Sequence, residues 1–268
     1  MNQAESIIDT SRPNAGRIYD YFLGGYHNFE VDRQAAEHLI GLLPFLPRFA
    51  RLQRWCLQDL AVELAERRDY DVIIDFASGL PTNDHIHHVV PPGTQVIYSD
   101  YDPLVVEYAR EILDGTPNVH FFQADARRPE ELLRRTAVQQ ILGERRNVAL
   151  VYWGVSALIG DDDLSHAARA LAEWAGPTSC WAFQAQGVDL NADAPKNRRV
   201  REIYAQMGSP TYPRSLEQIA ELLRPWRVGA AGFVSLLGWH SLSPELLTGD
   251  DLEAWGQAGG GYGGYLAK

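Results

Sequence analysis

From residue 70 onward the chain alternates apolar runs of strand length with amphipathic stretches of helix length. That alternation limits the possible fold more than any other feature. The runs are DVIIDFA (71–77), TQVIYSDYD (94–102), VHFFQADA (119–126), a fourth inside NVALVYWGVSAL (147–158) and TSCWAFQAQ (178–186). Helical patterns lie between them at 85–90, 103–113, 129–142 and 162–174. Strand, helix and strand in repetition predict a parallel sheet with helices on both faces. The runs are almost continuously apolar, as strands covered on both sides must be. A helix over 215–223, with Ser215 or Arg214 near its cap, precedes WRVGAAGFVSLLGW (226–239), where two last short strands are expected. The glycine-rich tail, WGQAGGGYGGYLAK, reads either as mobile or as folded back.

The first seventy residues follow a different period. After a loose arm over 1–14, RIYDYFL (17–23) reads as a short helix stopped by Gly24-Gly25. HNFEVDRQAAEHLIGLL reads as a second helix, with Asn28 as its cap and Val31, Ala35, Leu39 and Leu42 on one face. Pro44 and Pro47 punctuate. A long helix then runs over 49–68, with Leu52, Trp55, Cys56, Leu60 and Leu64 along one stripe. The expected organisation is a helical cap, 1–69, packed on an α/β unit, 70–268, as one compact body.

Composition narrows the function. The chain has 268 residues, 46% hydrophobic, enough for one large core. Its formal charge is −11 and it has no Lys/Arg run, so no nucleic-acid partner is expected. No apolar run is long enough to span a bilayer, and the polar start is unlike a secretory leader. Cys56 and Cys180 have no metal spacing and read as reduced core thiols, which suits the cytoplasm. The HIHH cluster puts His85 and His88 three apart. With no cysteine pair and no third ligand nearby, no metal is expected.

Three acids stand near the carboxyl ends of successive strands: Asp75, Asp100 and Asp125. Ligands of open α/β sheets bind beyond those ends. Each acid alone could cap a following turn; all three together would repel one another unless a ligand with donors lay between them. An acid ending the second strand commonly takes ribose hydroxyls, which suits Asp100. Asp125, before small Ala126, suits an exocyclic adenine amine. The turn DFASGLPT has an acid, one glycine at Gly79 and no basic partner, whereas a pyrophosphate wants free N–H groups and little negative charge. The G-x-G-x-x-G fingerprint is missing, which counts against a nicotinamide-dependent oxidoreductase. Adenosine joined to a cationic amino-acid end fits better, and S-adenosylmethionine has both.

At these residues the chain resembles a family of bacterial S-adenosylmethionine-dependent methyltransferases once catalogued as a domain of unknown function. The likeness runs through RPNAGRIYDYFLGGYHNFEVDR, DFASGLPT, VIYSDYDPLVVEYAR, FFQADAR, SALIGDDD and RSLEQIAELL. It implies a Rossmann-like, seven-stranded class I methyltransferase sheet with its last strand antiparallel and an N-terminal helical cap. It implies S-adenosyl-L-methionine as cofactor, S-adenosyl-L-homocysteine as product and a small-molecule acceptor. It places Tyr19, Tyr21, Gly24, Gly25, Tyr26 and Asn28 at the cofactor mouth, where aromatic faces suit a sulfonium. With them it groups Asp75, Ala77, Gly79, Asp100, Tyr101, Asp125, Ala126 and Trp153; Trp153 either stacks on a ring or packs in the core. Relatives carry glycine where Ala77 stands, and the chain has YWGVSALI where a His-Phe pair is usual. A binding protein without transfer activity therefore stands beside the enzyme reading. Candidates for a general base are His85, His87 and His88 after the first turn, of which His87 reads more readily as an ordinary helix residue, and Asp189, beyond the fifth strand.

Overall fold

The computed structural model describes residues 11–82, 84–188, 193–243, 245, 248–250 and 260–268. Among these residues eight strands form one sheet: β1 (Val72–Phe76), β2 (Gln95–Asp100), β3 (Val119–Gln123), β4 (Ala149–Tyr152), β5 (Cys180–Gln186), β6 (Arg227–Val228), β7 (Val234–Ser235) and β8 (Gly261–Ala267). Their order is β3-β2-β1-β4-β5-β8-β6, with β7 also paired to β8. β1 to β5 are parallel, and β8 runs antiparallel to β5, β6 and β7. β6 and β7 thus act as one interrupted strand along the outer side of β8.

Among the described residues ten α-helices surround the sheet: α1 (Ala15–Phe22), α2 (Glu30–Leu42), α3 (Leu46–Val62), α4 (Pro103–Ile112), α5 (Pro129–Leu133), α6 (Thr136–Leu142), α7 (Asp161–Trp174), α8 (Pro195–Gln206), α9 (Leu216–Leu222) and α10 (Leu236–Trp239). Alternation along the strands assigns each face a core. Val72, Ile74, Phe76, Leu150 and Phe183 point toward α5, α6, α7 and α9. Ile73, Val96, Val151 and Ala182 point toward α3 and α10. A third cluster joins α1, α2, the start of α3 and α8 through Ile18, Phe22, Leu39, Leu46 and Ile203. α3 therefore belongs to two layers: Leu57, Leu60 and Ala61 cover the sheet, while Leu46 and Ala50 hold the other helices.

Several sequence expectations change. The helix over 85–90 shrinks to a 3-10 turn at Ile86–His88, because Pro91 and Pro92 arrive before a second turn can close. The helix over 129–142 is two, since Arg135 adopts extended backbone. Asn28 does not cap α2; its amide is spent on Asp20 and the Gly25 carbonyl, and Asp32 accepts from the Phe29 N–H instead. Trp55 leaves the buried stripe and stacks on His240 at the surface. Of the two options for the tail, part of it is folded back: residues 261–267 form β8, inside the sheet. Its glycines are required there. A Cβ on Gly263 would sit 2.7 Å from the Trp239 ring, and one on Gly264 2.8 Å from Phe233.

Candidate functional site

The carboxyl ends of β1, β2, β3 and β4 open into one cavity of about 420 Å3, roofed by α1, α3 and α8 and by residues 208–213. Its floor is the turn after β1. Ala77 has φ 53° and Gly79 φ 65°, both left-handed. Glycine is the natural residue for such backbone, and an alanine there costs about 1–2 kcal/mol. The turn holds because the Ser78 N–H donates to the Ser99 carbonyl (2.9 Å) and the Gly79 N–H to Asp100 Oδ2 (3.1 Å).

Behind this turn lies a buried hydrogen-bonded chain. The Ile86 N–H donates to His85 Nδ1 (3.0 Å), so the ring proton sits on Nε2 and is donated to the Ser78 carbonyl (3.1 Å). Tyr98 Oη then donates to His85 Nδ1 and accepts from His87 Nδ1, each at 3.0 Å. Burial drives the His85 pKa well down and that of His87 to about 4, so both rings are neutral near pH 7. His85 thereby positions the turn. His87 lies off the cavity, on the far side of Tyr98.

The acids along the rim differ. Burial raises Asp100 to about 6, although the Asp102 and Gly79 N–H groups hydrogen-bond its carboxylate. Asp125 is half-exposed. Burial works against its charge, but the Arg127 side chain and N–H outweigh it and hold the carboxyl below its usual range. Asp75 is buried, its Oδ1 has no partner among the described residues, and burial pushes its pKa well up.

The roof contributes Arg54 from α3, which sequence reasoning missed. It is 4% exposed, lines the cavity and lies over the Tyr19 ring at 5.7 Å, yet among the described residues its Nε and Nη1 have no acceptor. Tyr19 donates to the Ala50 carbonyl (3.1 Å). Trp153 is pinned by its Nε1–H to the Gln53 carbonyl (2.9 Å) and lies beside Trp239. Arg214, also missed, is buried; it donates to the Ser156 and Ile159 carbonyls and pairs with Asp161, shaping the loop after β4. No local pattern marks either arginine, because both act on segments distant in sequence.

Of the residues singled out from sequence, Tyr19, Asp75, Ala77, Gly79, Asp100, Tyr101, Asp125, Ala126 and Trp153 come together on the cavity wall. Tyr21, Gly24, Gly25, Tyr26 and Asn28 do not line it. Tyr21 bonds Glu37, and Tyr26 is 86% exposed. Asp20 gathers the rest of that motif: it accepts from the His27 N–H and the Asn28 amide, and a Cβ on Gly25 would meet its carboxylate at 2.1 Å. Arg17 pairs with Asp32 at 2.7 Å and reaches Asp102 at 3.5 Å, fastening α1 and α2 to the start of α4. Asp189 lies outside the described residues.

Chemically, the cavity has two lobes. The strand rim offers Asp100 to hydroxyl donors and flat apolar flanks, Ala126 and Ile159, to a ring. The helical lobe is apolar, walled by Phe22, Leu43, Leu46, Phe49, Val200 and Tyr204. Arg54 and Asp75 line the same cavity, and among the described residues Arg54 Nε and Nη1 and Asp75 Oδ1 have no hydrogen-bond partner. An adenosyl amino acid suits that set: hydroxyls for Asp100, a ring for the flanks, and opposite charges for the orphans.

Comparison with known proteins agrees. The family model described as S-adenosyl methyltransferase matches residues 1–261. A provisionally assigned methyltransferase from Thermobifida fusca YX is 26% identical, with TM-score 0.85 over 100% of this chain and 99% of that one. A DUF574 family protein from Streptomyces avermitilis MA-4680 is 25% identical, with TM-score 0.83 over 97% of this chain and 99% of that one. Magnesium protoporphyrin IX methyltransferase from Synechocystis PCC 6803, crystallised with bound S-adenosylhomocysteine, shares the fold at 11% identity, with TM-score 0.55 over 98% and 97% of the two chains. No curated protein matches the chain.

Proposed function

Because the chain belongs to the S-adenosyl methyltransferase family and takes S-adenosylmethionine as its cofactor, we propose that it methylates an apolar small molecule held in the helical lobe of the cavity. The observation that supports this most is the junction of two unlike lobes: an acid-bearing strand rim and a lobe walled by Phe22, Leu46, Phe49 and Val200. Bound in the rim, the cofactor supplies a methyl group on a sulfonium, an electrophilic carbon whose leaving group is a neutral thioether.

In this reading the chain's residues align and shield. Asp100 takes the ribose hydroxyls, and Tyr101, Asp125 and Ala126 flank the adenine. Ala77 and Gly79 let the backbone approach, held by His85 through Ser78. Trp153 and Tyr19 frame the sulfonium, where aromatic faces favour a cation by about 0.5–2 kcal/mol. Gln53, Asn197 and Tyr204 give the helical lobe its polar groups. In-line displacement needs alignment and exclusion of water more than acid-base chemistry, and closely packed apolar walls supply both.

We place the protein in a bacterial cytoplasm, with residues 1–69 as a cap on one compact unit. The free, buried state of Cys56 and Cys180 fits a reducing compartment. The test is incubation of the protein and radiolabelled methyl donor with organic-solvent fractions of a bacterial extract. Label is expected in an apolar product. Label confined to polar amino-acid or nucleotide fractions would count against the apolar acceptor.

A further inference from the structure

Helix α8 roofs the helical lobe of the cavity, and its two faces differ. Arg198, Arg199 and Glu202 are exposed, and Arg199 pairs there with Glu202 at 2.9 Å. Asn197, Val200, Arg201 and Tyr204, spaced three and four apart, share the other face and line the cavity. Val200 and Tyr204 pack on the apolar cluster of α1, α2 and α3, and Arg201 is half-buried beside them. Other charged groups of the wall are engaged. Asp125 pairs with Arg127 and Asp163 with Arg128, Arg54 hydrogen-bonds Tyr19, and Asp100 accepts from two backbone N–H groups. Among the described residues Arg201 has neither an ion-pair partner nor an acceptor. The Tyr204 hydroxyl is likewise without a partner among them, and burial lifts its pKa to about 12, so it keeps its proton near neutral pH. A surface arginine reaches water past its apolar stem. Arg201 lies on the inward face instead, where a bound acceptor would displace that water. Its charge then loses solvent with nothing in return, a cost that an anion on the acceptor removes.

We propose that Arg201 and Tyr204 form a receptor for a carboxylate on the methyl acceptor, which makes the substrate class an apolar acid. This rests on the reading of the helical lobe as the acceptor site and deepens it. The guanidinium fork matches a carboxylate with two parallel hydrogen bonds, and the phenol donates a third. A neutral acceptor leaves Arg201 uncompensated, and an amine sets a like charge against it. The apolar walls hold the body of the acid, while the charge fixes which end faces α8 and leaves the other end toward the strand rim.

The test is displacement of the neutral dye N-phenyl-1-naphthylamine from protein saturated with S-adenosylhomocysteine, using octanoate, 1-octanol and octylamine at pH 8. The three share one chain and differ in the charge of its end. In wild type octanoate is expected to displace the dye at a concentration about 10-fold or more below that of 1-octanol, as a charge-assisted pair predicts, with octylamine weakest. R201M should abolish the preference for octanoate and leave displacement by 1-octanol intact, which also verifies that the lobe is folded. R201K should keep part of the preference, since an ammonium retains the charge without the fork. Y204F should weaken octanoate relative to 1-octanol by about 2- to 10-fold. The proposal is overturned if wild type takes octanoate no better than 1-octanol, or if R201M keeps the preference. Wild type that takes up no dye, or releases it to none of the three, would remove the helical lobe as the acceptor site. Failure to bind S-adenosylhomocysteine in a parallel calorimetric titration would remove the methyl-donor reading instead.

Discussion

Gly263→Ala tests whether the glycine-rich carboxyl-terminal strand supports the cavity. Gly263 sits on β8 opposite Gln184 of β5 and Val234 of β7. A Cβ there would lie 2.7 Å from Trp239 Cε3 and Cζ3 and 2.8 Å from Trp153 Cη2. Both rings must move by several tenths of an ångström. Trp153 cannot slide freely, because its Nε1–H is bonded to the Gln53 carbonyl. Overpacking of this kind costs about 1–3 kcal/mol. Alanine returns about 0.4–1 kcal/mol by restricting the unfolded chain. The net expectation is a loss of about 1–2 kcal/mol, or a melting point lower by roughly 2–8 °C for a domain of this size. Differential scanning fluorimetry reads the shift, and titration with S-adenosylhomocysteine should show weaker binding, since Trp153 lines the cavity. Gly41→Ala is the control: nothing lies within 4 Å of its added Cβ, so it should melt at or above wild type. A G263A protein that melts no lower than wild type and binds as tightly would refute the reasoning.

Asp100, lifted to about 6 by burial, must be ionised to accept ribose hydroxyls. S-adenosylhomocysteine affinity should therefore fall as pH drops through 6, and D100A should bind weakly throughout and lose the inflection near 6 in titrations at several pH values. Asp32→Asn leaves Arg17 without its 2.7 Å partner in a fully buried setting and should cost about 3–5 kcal/mol in urea unfolding; a loss under about 1 kcal/mol would mean the α1–α2 clamp is not structural. Burial pushes Cys180 to about 11 and Cys56 higher still, so neither thiol should react with a colorimetric disulfide reagent at pH 8 until denaturant is added.

The alternating apolar runs determined β1 to β5, their parallel sense and the rim at which Asp75, Asp100 and Asp125 stand. Those are local matters: a run buried on both faces must look the same whatever it packs on, and an acid at its end falls at the same rim. Tertiary structure alone decided the rest. The GYGGYLA segment reads as either loose or folded back until β5, β6 and β7 stand on either side of it, when Trp153, Trp239 and Phe233 fill the space that its glycines leave. Tyr21, Gly25 and Asn28 belong to a motif that points toward a binding mouth, but Asp20 turns two of them inward to brace α1, and Glu37 holds the third at the surface. Arg54 hides in the apolar stripe of α3 beside Leu52 and Cys56, where periodicity marks a buried face without saying what lies across it. What lies across it is Asp75, twenty-one positions later, and a charge facing a charge inside a cavity is a relation between distant segments that no window of sequence contains.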